Sequence, residues 1–268
     1  MIKLVATDVD GTLLRDGTHD LHPAYYEAVR ILRRKGIYFC VCSGRQYSSI
    51  RCLFNPVADD IYYIAENGTL IRTSDQILET LTFPPEAYLP LIRDIRRIPD
   101  ADMVVSGADL SWVDSGEDSF IYHLLRDKYQ YLLENVPDLA DVPAGSVLKI
   151  SAYHAQGDRG LQDLLRSHWK EELQVSTSGV TWVDISLKEA GKGSALAFLQ
   201  NYLGVKEEET LYFGDNMNDL PAFERAGLAG TVANARREIR DAADFVGERF
   251  EDLGVLKELQ RIFDFSIV

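Results

Sequence analysis

Short apolar segments, each followed at once by a polar cluster, recur along this chain and alternate with helical patterns. The first segment precedes DVDGT, which begins at Asp8; the second precedes SGR at Ser43, and the third precedes ENG at Glu66. Uninterrupted apolar runs of this length are typical of parallel strands that are buried on both faces. Their alternation with amphipathic helices predicts an α/β fold with a Rossmann-like parallel sheet and right-handed crossovers.

The alternation stops after Phe83 and gives way to another order: helix, two short strands, helix, strand, helix and two short strands. This order is typical of an α+β unit with an antiparallel sheet. The strands predicted in it are 102–105, 110–113, 147–153, 174–177 and 181–185. The alternating pattern resumes at Lys192. We therefore predict a core formed by residues 1–83 and 187–268 and an inserted α+β domain formed by residues 84–186.

Charge and composition exclude several classes of partner. The 268 residues include 28 basic and 42 acidic side chains, a net charge of −14, which disfavours sequence-independent binding to nucleic acid or anionic lipid. The N-terminal apolar run is charged too soon for a signal peptide or a membrane span. The cysteine count is odd, and Cys40 and Cys42 share one face of a predicted strand, where they bridge poorly. These features predict a reduced, cytoplasmic protein without a nucleic-acid or membrane partner.

Polar residues from four separate segments are expected to meet at one edge of the predicted sheet. Ligands of open α/β sheets bind outside the carboxyl ends of the strands, and the polar clusters fall at these ends or at a helix start. One of them is GDNMND, which begins at Gly214 after a predicted strand at 210–213. The residues brought together in this way are Asp8, Asp10, Ser43, Lys192, Asp215, Asn216, Asn218 and Asp219.

Four neighbouring carboxylates require a cation, because like charges raise one another's pKa. Oxygen ligands without a nearby His or Cys favour Mg²⁺. Lys192, at the start of a helix, and Ser43 are the donors expected around a phosphoryl group. Two carboxylates two residues apart suit phosphoryl transfer: one attacks phosphorus, and the other protonates the leaving oxygen and then deprotonates water.

These motifs resemble the four signature motifs of the haloacid-dehalogenase-like (HAD) phosphatases. The insert resembles the C2-type cap of their Cof-type branch, subclass IIB, and the resemblance extends over the whole chain. It implies a HAD-fold core and a Mg²⁺-dependent phosphatase that hydrolyses small phosphorylated metabolites through an aspartyl-phosphate. Asp8 is then the nucleophile, Asp10 is the acid/base, and Thr12 supports their loop.

The resemblance also implies how the phosphoryl group and the metal are held. The implied phosphate-binding residues are Thr12, Ser43, Gly44, Lys192 and Asn218, and Lys192 would steady both the nucleophile and the phosphate. Asp10 would bind the metal through its backbone carbonyl, and Asp219 through water or Lys192. The implied metal residues are Asp8, Asp10, Asp215 and Asp219.

Several alternatives stay open from the sequence. A phosphotransferase or mutase would use the same scaffold with a hydroxyl as acceptor, and a phosphometabolite sensor would need no chemistry. The insert carries 9 basic and 17 acidic residues, which either repel polyanionic substrates or serve only solubility. Arg45 either reaches the substrate or forms a surface ion pair. Trp112, Trp169 and Trp182 pack in a core by default, although one of them could line the cleft.

Overall fold

The computed structural model describes residues 1–157, 160–178 and 181–267. Its described strands are β1 (Leu4–Thr7), β2 (Tyr38–Cys42), β3 (Tyr62–Ala65), β4 (Leu70–Arg72), β5 (Ile77–Thr80), β6 (Ala101–Ser106), β7 (Ser111–Val113), β8 (Leu133–Asn135), β9 (Lys149–His154), β10 (Leu173–Ser178), β11 (Trp182–Leu187), β12 (Thr210–Phe213), β13 (Leu228–Val232) and β14 (Phe245–Gly247). Its described α-helices are α1 (Ala24–Arg34), α2 (Tyr47–Leu53), α3 (Pro85–Ile95), α4 (Phe120–His123), α5 (Leu161–Trp169), α6 (Lys192–Leu203), α7 (Leu220–Phe223), α8 (Arg237–Ala242) and α9 (Gly254–Phe263).

Eight strands form one sheet in the order β14-β13-β12-β1-β2-β3-β4-β5. The six strands from β14 to β3 pair in parallel, and β4 and β5 extend the sheet as an antiparallel hairpin. Every residue of β1 is buried, as expected for a strand covered on both faces. The chain leaves β1 for β2 on one side and later returns to β12 on the other. The carboxyl end of β1 therefore faces the crevice where open α/β sheets bind ligands.

The second sheet has the order β10-β11-β9-β6-β7-β8 and lies within the insert. Its pairs are antiparallel except for β7 with β8, which is parallel. The sequence did not predict β8, because three residues of mixed polarity carry no periodic signal. The predicted fold class, a parallel α/β core with an inserted α+β unit, is confirmed. The boundaries at residues 83 and 187 stay predictions.

Local sequence explains the elements that flank the crevice. In α1, Tyr25, Ala28, Val29 and Leu32 recur at helical spacing and are the buried face. The helix ends before Gly36, whose φ of +75° suits glycine. Cys40 and Cys42 are buried in β2 and do not form a disulfide with each other. None of the described helices is both long and apolar enough to span a lipid bilayer.

Candidate active site

Asp8 is the first residue beyond β1, and the structure places it at the crevice. It is almost fully buried, and its backbone amide donates to the Phe213 carbonyl at the end of β12. The hydroxyl of Thr12 lies 3.2 Å from Asp8 Oδ2 and 3.2 Å from Asp215 Oδ1. The loop that follows β1 therefore ties the carboxylates of two neighbouring strand ends together.

Lys192 lies between two buried carboxylates. As the first residue of α6, it directs Nζ to Asp8 Oδ1 at 2.6 Å and to Asp219 Oδ1 at 2.7 Å. Burial alone would lower the pKa of Lys192, but the carboxylates of Asp219 and Asp8 raise it above its ordinary value. The lysine is therefore held as a cation, and a buried cation of this kind persists only when it is paired.

Asp219 is completely buried, and both of its oxygens accept hydrogen bonds. Oδ1 accepts from Lys192 and, at 2.8 Å, from the Tyr212 hydroxyl, whereas Oδ2 accepts from the backbone amides of Asp215 and Asn216. Four donors fix this carboxylate behind the site. That Asp219 serves the metal through water or through Lys192 stays a prediction.

The loop between β1 and α1 approaches Asp215 so closely that it requires a glycine. Gly11 has φ +79°, and a Cβ there would lie 2.3 Å from Asp215 Oδ2. Such a distance is far below van der Waals contact, so an alanine at this position would displace the Asp215 carboxylate. Gly11 of the DVDGT motif is therefore required for the close approach of its loop to the loop that carries Asp215, and not only for a turn.

Oxygens of Asp8, Asp215 and Asp219 lie within 4.8 Å of one another. Burial, opposed by Lys192, raises the pKa of Asp8 well above its ordinary range, and the neighbouring carboxylates raise it further. Burial and Asp219 raise the pKa of Asp215 to about 7. One lysine does not neutralise this group, and an all-carboxylate donor set suits a hard divalent cation such as Mg²⁺. These residues therefore fit the metal that the sequence predicts.

Asp10 stands apart from the three clustered carboxylates. Arg45 donates two hydrogen bonds to its carboxylate, from Nε to Oδ2 at 2.7 Å and from Nη2 to Oδ1. The Gly17 backbone amide donates a third to Oδ1 at 3.0 Å. Arg45 is only 4% exposed, so of the two alternatives left open by the sequence, a surface ion pair is wrong: the pair with Asp10 is largely buried. The guanidinium instead orients the Asp10 carboxylate, which lines the same crevice as Asp8.

Ser43 and Gly44 follow β2 and line the same crevice as Asp8. The Ser43 hydroxyl accepts from the backbone amide of Arg45 at 3.1 Å, which leaves its own proton available to a ligand. Asn218 also lines the crevice, and its amide donates to Asn67 Oδ1 at 3.1 Å. The residues expected to contact a phosphoryl group thus lie around Asp8.

A cavity of about 340 Å³ lies between the two sheets. Asp8, Asp10, Asp215, Ser43 and Gly44 line its floor, and the insert lines the opposite wall. Trp182 belongs to that wall, whereas Trp112 and Trp169 pack around the apolar cluster of the insert. The wall residues contributed by the insert are Val104, Leu125, Lys128, Tyr129, Tyr131, Lys149, Ser151, Thr181, Trp182 and Asp184.

The sequence did not single out most of these wall residues. Lys149 and Asp184 lie on β9 and β11 with their side chains in the crevice, but each is an isolated charge in an apolar run. A buried charge within a predicted strand was the one available signal, because such residues are rarely buried without a partner. The histidines His123, His154 and His168 do not line the cavity.

Comparison with known proteins gives a consistent family. A family model of haloacid dehalogenase-like hydrolases matches residues 5–259. The 5-amino-6-(5-phospho-D-ribitylamino)uracil phosphatase YbjI of Escherichia coli (strain K12) is 23% identical over 265 residues, which cover 97% of this chain and 96% of the relative.

Solved structures with the same fold are also known. A crystal structure from Eubacterium rectale has a TM-score of 0.88 at 32% identity and covers 97% of this chain and 99% of its own. The HAD subclass IIB sugar phosphatase BT4131 has a TM-score of 0.80 at 18% identity, over 98% of this chain and 100% of its own, a likeness of fold. This chain therefore belongs to the haloacid dehalogenase-like hydrolases, which confirms the family and the enzyme class that its motifs predict.

Proposed function

We propose that this protein is a Mg²⁺-dependent phosphatase that hydrolyses small phosphorylated metabolites through an aspartyl-phosphate on Asp8. The observation that carries the proposal is the position of Lys192 between Asp8 and Asp219, with Asp215 beside them. A buried carboxylate held next to a fixed cation and a divalent-metal donor set is suited to attack on an anionic phosphoryl group.

The metal would be held by Asp8 and Asp215, with the backbone carbonyl of Asp10 as a further ligand and Asp219 acting from behind. When bound, the cation neutralises charge on the phosphoryl oxygens and offsets the repulsion between that group and the carboxylates. The Thr12 hydroxyl contacts the carboxylates of both Asp8 and Asp215 and would hold them in place around the metal.

The residues of the chain then divide the reaction into two displacements. Asp8 attacks phosphorus, the bond from phosphorus to the leaving oxygen breaks, and Asp10 gives its proton to that oxygen. In the second displacement Asp10 takes a proton from water, the water oxygen attacks phosphorus, and the bond to Asp8 breaks to release inorganic phosphate. Arg45 orients the Asp10 carboxyl group in both steps through its two hydrogen bonds.

We further propose that residues 84–186 act as the cap and residues 1–83 and 187–268 as the catalytic core. The phosphoryl site on the core is common to every substrate, so the cap wall selects the leaving group. Trp182 and Tyr129 supply an aromatic surface, with ring centroids 6.3 Å apart, and Asp184 and Ser151 supply polar contacts. Such a wall suits a small polyol or a heterocycle, which is in keeping with the phosphorylated compound named for the Escherichia coli relative.

The test is a phosphatase screen with sugar phosphates, pyridoxal phosphate, flavin mononucleotide and nucleotides, in Mg²⁺ and in excess chelator. We expect release of inorganic phosphate from one or more monophosphates, loss of that release in chelator, and recovery when Mg²⁺ is returned. Full activity in excess chelator would remove the metal from the mechanism. Phosphate that appears on an added sugar rather than free in solution would identify a phosphotransferase or mutase instead.

A further inference from the structure

The phosphoryl-binding loop, Ser43 to Gln46, is held on both sides by residues of the cap. Gln46 is completely buried; its Nε2 donates to Ser111 Oγ at 2.7 Å, and its Oε1 accepts from the Leu132 amide at 2.8 Å. Two positions earlier, Lys149 Nζ donates to the Gly44 carbonyl at 2.7 Å. Lys149 lies 105 residues away in the chain, on a strand of the other sheet.

Lys149 is buried as a charged side chain. Its Nζ lies 2.7 Å from Glu66 Oε2 and 3.7 Å from Asp184 Oδ2, and its side chain is 3% exposed. Burial alone would lower the pKa of Lys149, but Asp184 and Glu66 raise it above its ordinary value. Burying three charged groups is costly and gives little net stability in return, so stability alone does not explain this cluster.

The partner of Lys149 on the core lies in a strained turn. Glu66 and Asn67 both have left-handed backbone angles, with φ of +51° and +57°, a conformation that asparagine tolerates but that is unfavourable for glutamate. The turn brings Glu66 to Lys149, and it brings Asn67 Nδ2 to within 2.8 Å of Asp184 Oδ2. The Asn67 backbone amide also donates to the Ser43 carbonyl at 3.1 Å. The strained turn thus joins the cap to the phosphoryl-binding loop.

The contact between Lys149 and Gly44 reaches Ser43 through one rigid peptide group. The Gly44 carbonyl and the Arg45 amide belong to the same planar peptide, so fixing the oxygen fixes the direction of the N–H. That N–H donates to Ser43 Oγ at 3.1 Å. The Ser43 hydroxyl therefore accepts from the backbone and keeps its proton for a phosphoryl oxygen only while the peptide holds this orientation.

We propose that Lys149 is a positioning residue through which the seated cap completes the phosphoryl-binding site, with Glu66 and Asp184 holding its ammonium against the Gly44 carbonyl. The proposal rests on the function proposed above, since it assigns the phosphoryl group to Ser43. Lys149 itself does not touch the substrate in this role. Its removal therefore weakens binding of the phosphoryl group to the same extent whatever leaving group is attached.

The test compares Lys149→Met with Lys149→Arg and with Lys170→Met, which removes a cap lysine whose side chain is 61% exposed. The first measurement is the affinity for inorganic phosphate, by calorimetry in Mg²⁺. We expect Lys149→Met to weaken it roughly tenfold, as for loss of a charged hydrogen bond, Lys149→Arg to recover part of that loss, and Lys170→Met to match the wild type. The second measurement is KM for p-nitrophenyl phosphate and for a sugar phosphate, which we expect to rise by the same factor.

Unchanged phosphate affinity in Lys149→Met would overturn the inference, and so would a rise in KM confined to one substrate, because Lys149 would then contact the leaving group. If Lys149→Met does not fold, as judged by circular dichroism, the double variant Glu66→Gln/Lys149→Met removes the unpaired buried carboxylate and is measured in its place. A wild type that binds phosphate but turns over no monophosphate would refute the proposed function alone, because the affinity comparison would still decide the role of Lys149.

Discussion

Replacing Lys192 with methionine tests the charge balance of the site quantitatively. The side chain is 1% exposed, and its Nζ is 2.6 Å from Asp8 and 2.7 Å from Asp219. Methionine fills a similar volume but leaves both carboxylates without their cation. Breaking a buried ion pair by removing one partner costs about 3–5 kcal/mol, a large part of the roughly 5–15 kcal/mol by which a folded domain is stable. We expect Lys192→Met to lower the free energy of unfolding by about that amount in metal-free buffer.

The assay is equilibrium unfolding in urea at neutral pH without divalent metal, with Lys170→Met as the control. Lys170 pairs with Glu171 at 3.9 Å on the surface, and loss of an exposed pair of this kind leaves unfolding unchanged. Phosphatase activity is expected to fall with stability in Lys192→Met, because Lys192 opposes the rise in the pKa of Asp8 and its loss favours the protonated, unreactive acid. A Lys192→Met variant as stable as Lys170→Met would refute the reasoning that the two carboxylates depend on this lysine.

Three further outcomes follow from the geometry. Burial and Asp219 raise the pKa of Asp215 to about 7, so without metal the protonated Asp215 carboxyl favours the folded state. This stabilisation is fully present below about pH 4 and is lost as the pH rises through 7. Mg²⁺ should therefore raise the melting temperature more at pH 7.5 than at pH 5, where protonated carboxyls do not bind it, and equal increments at both pH values would contradict this assignment. Gly11→Ala should raise the Mg²⁺ concentration for half-maximal activity at least about tenfold, because its Cβ displaces Asp215; an unchanged titration would argue against Asp215 as a ligand. Trp182→Phe should alter the ratio of kcat/KM between two substrates with different leaving groups while phosphate affinity stays constant, and a uniform change across substrates would place Trp182 outside the leaving-group site.

The part of the candidate site that lies on the core was predictable because local sequence patterns mark its residues. Asp8 and Ser43 each follow an apolar strand directly, Asp215 follows one after Gly214, and the topology of a parallel sheet brings such strand ends together. Lys192 was predictable for a similar reason, since it begins a helix that points at the same edge. Short contiguous motifs and a general rule about strand ends were enough for this part.

The cap side of the site could not be predicted in the same way. The contact of Lys149 with Gly44, and that of Asn67 with Asp184, join residues more than a hundred positions apart and depend on how the two sheets face each other. The environment of Arg45 could not be predicted for the same reason. Its partner Asp10 is 35 residues away, so the sequence left open whether the guanidinium was buried or exposed. Long-range contacts between single charged residues carry no local periodicity.

The most direct test of the central claim is identification of the residue that carries the phosphoryl group during turnover. A substrate from the screen is mixed with the enzyme in Mg²⁺, quenched in acid within one turnover, and digested for mass spectrometry. We predict one added phosphoryl group on the peptide that contains Asp8, and neither the modification nor turnover in a folded Asp8→Asn variant. Modification of another residue, or near wild-type turnover by Asp8→Asn, would contradict the covalent mechanism proposed for this site.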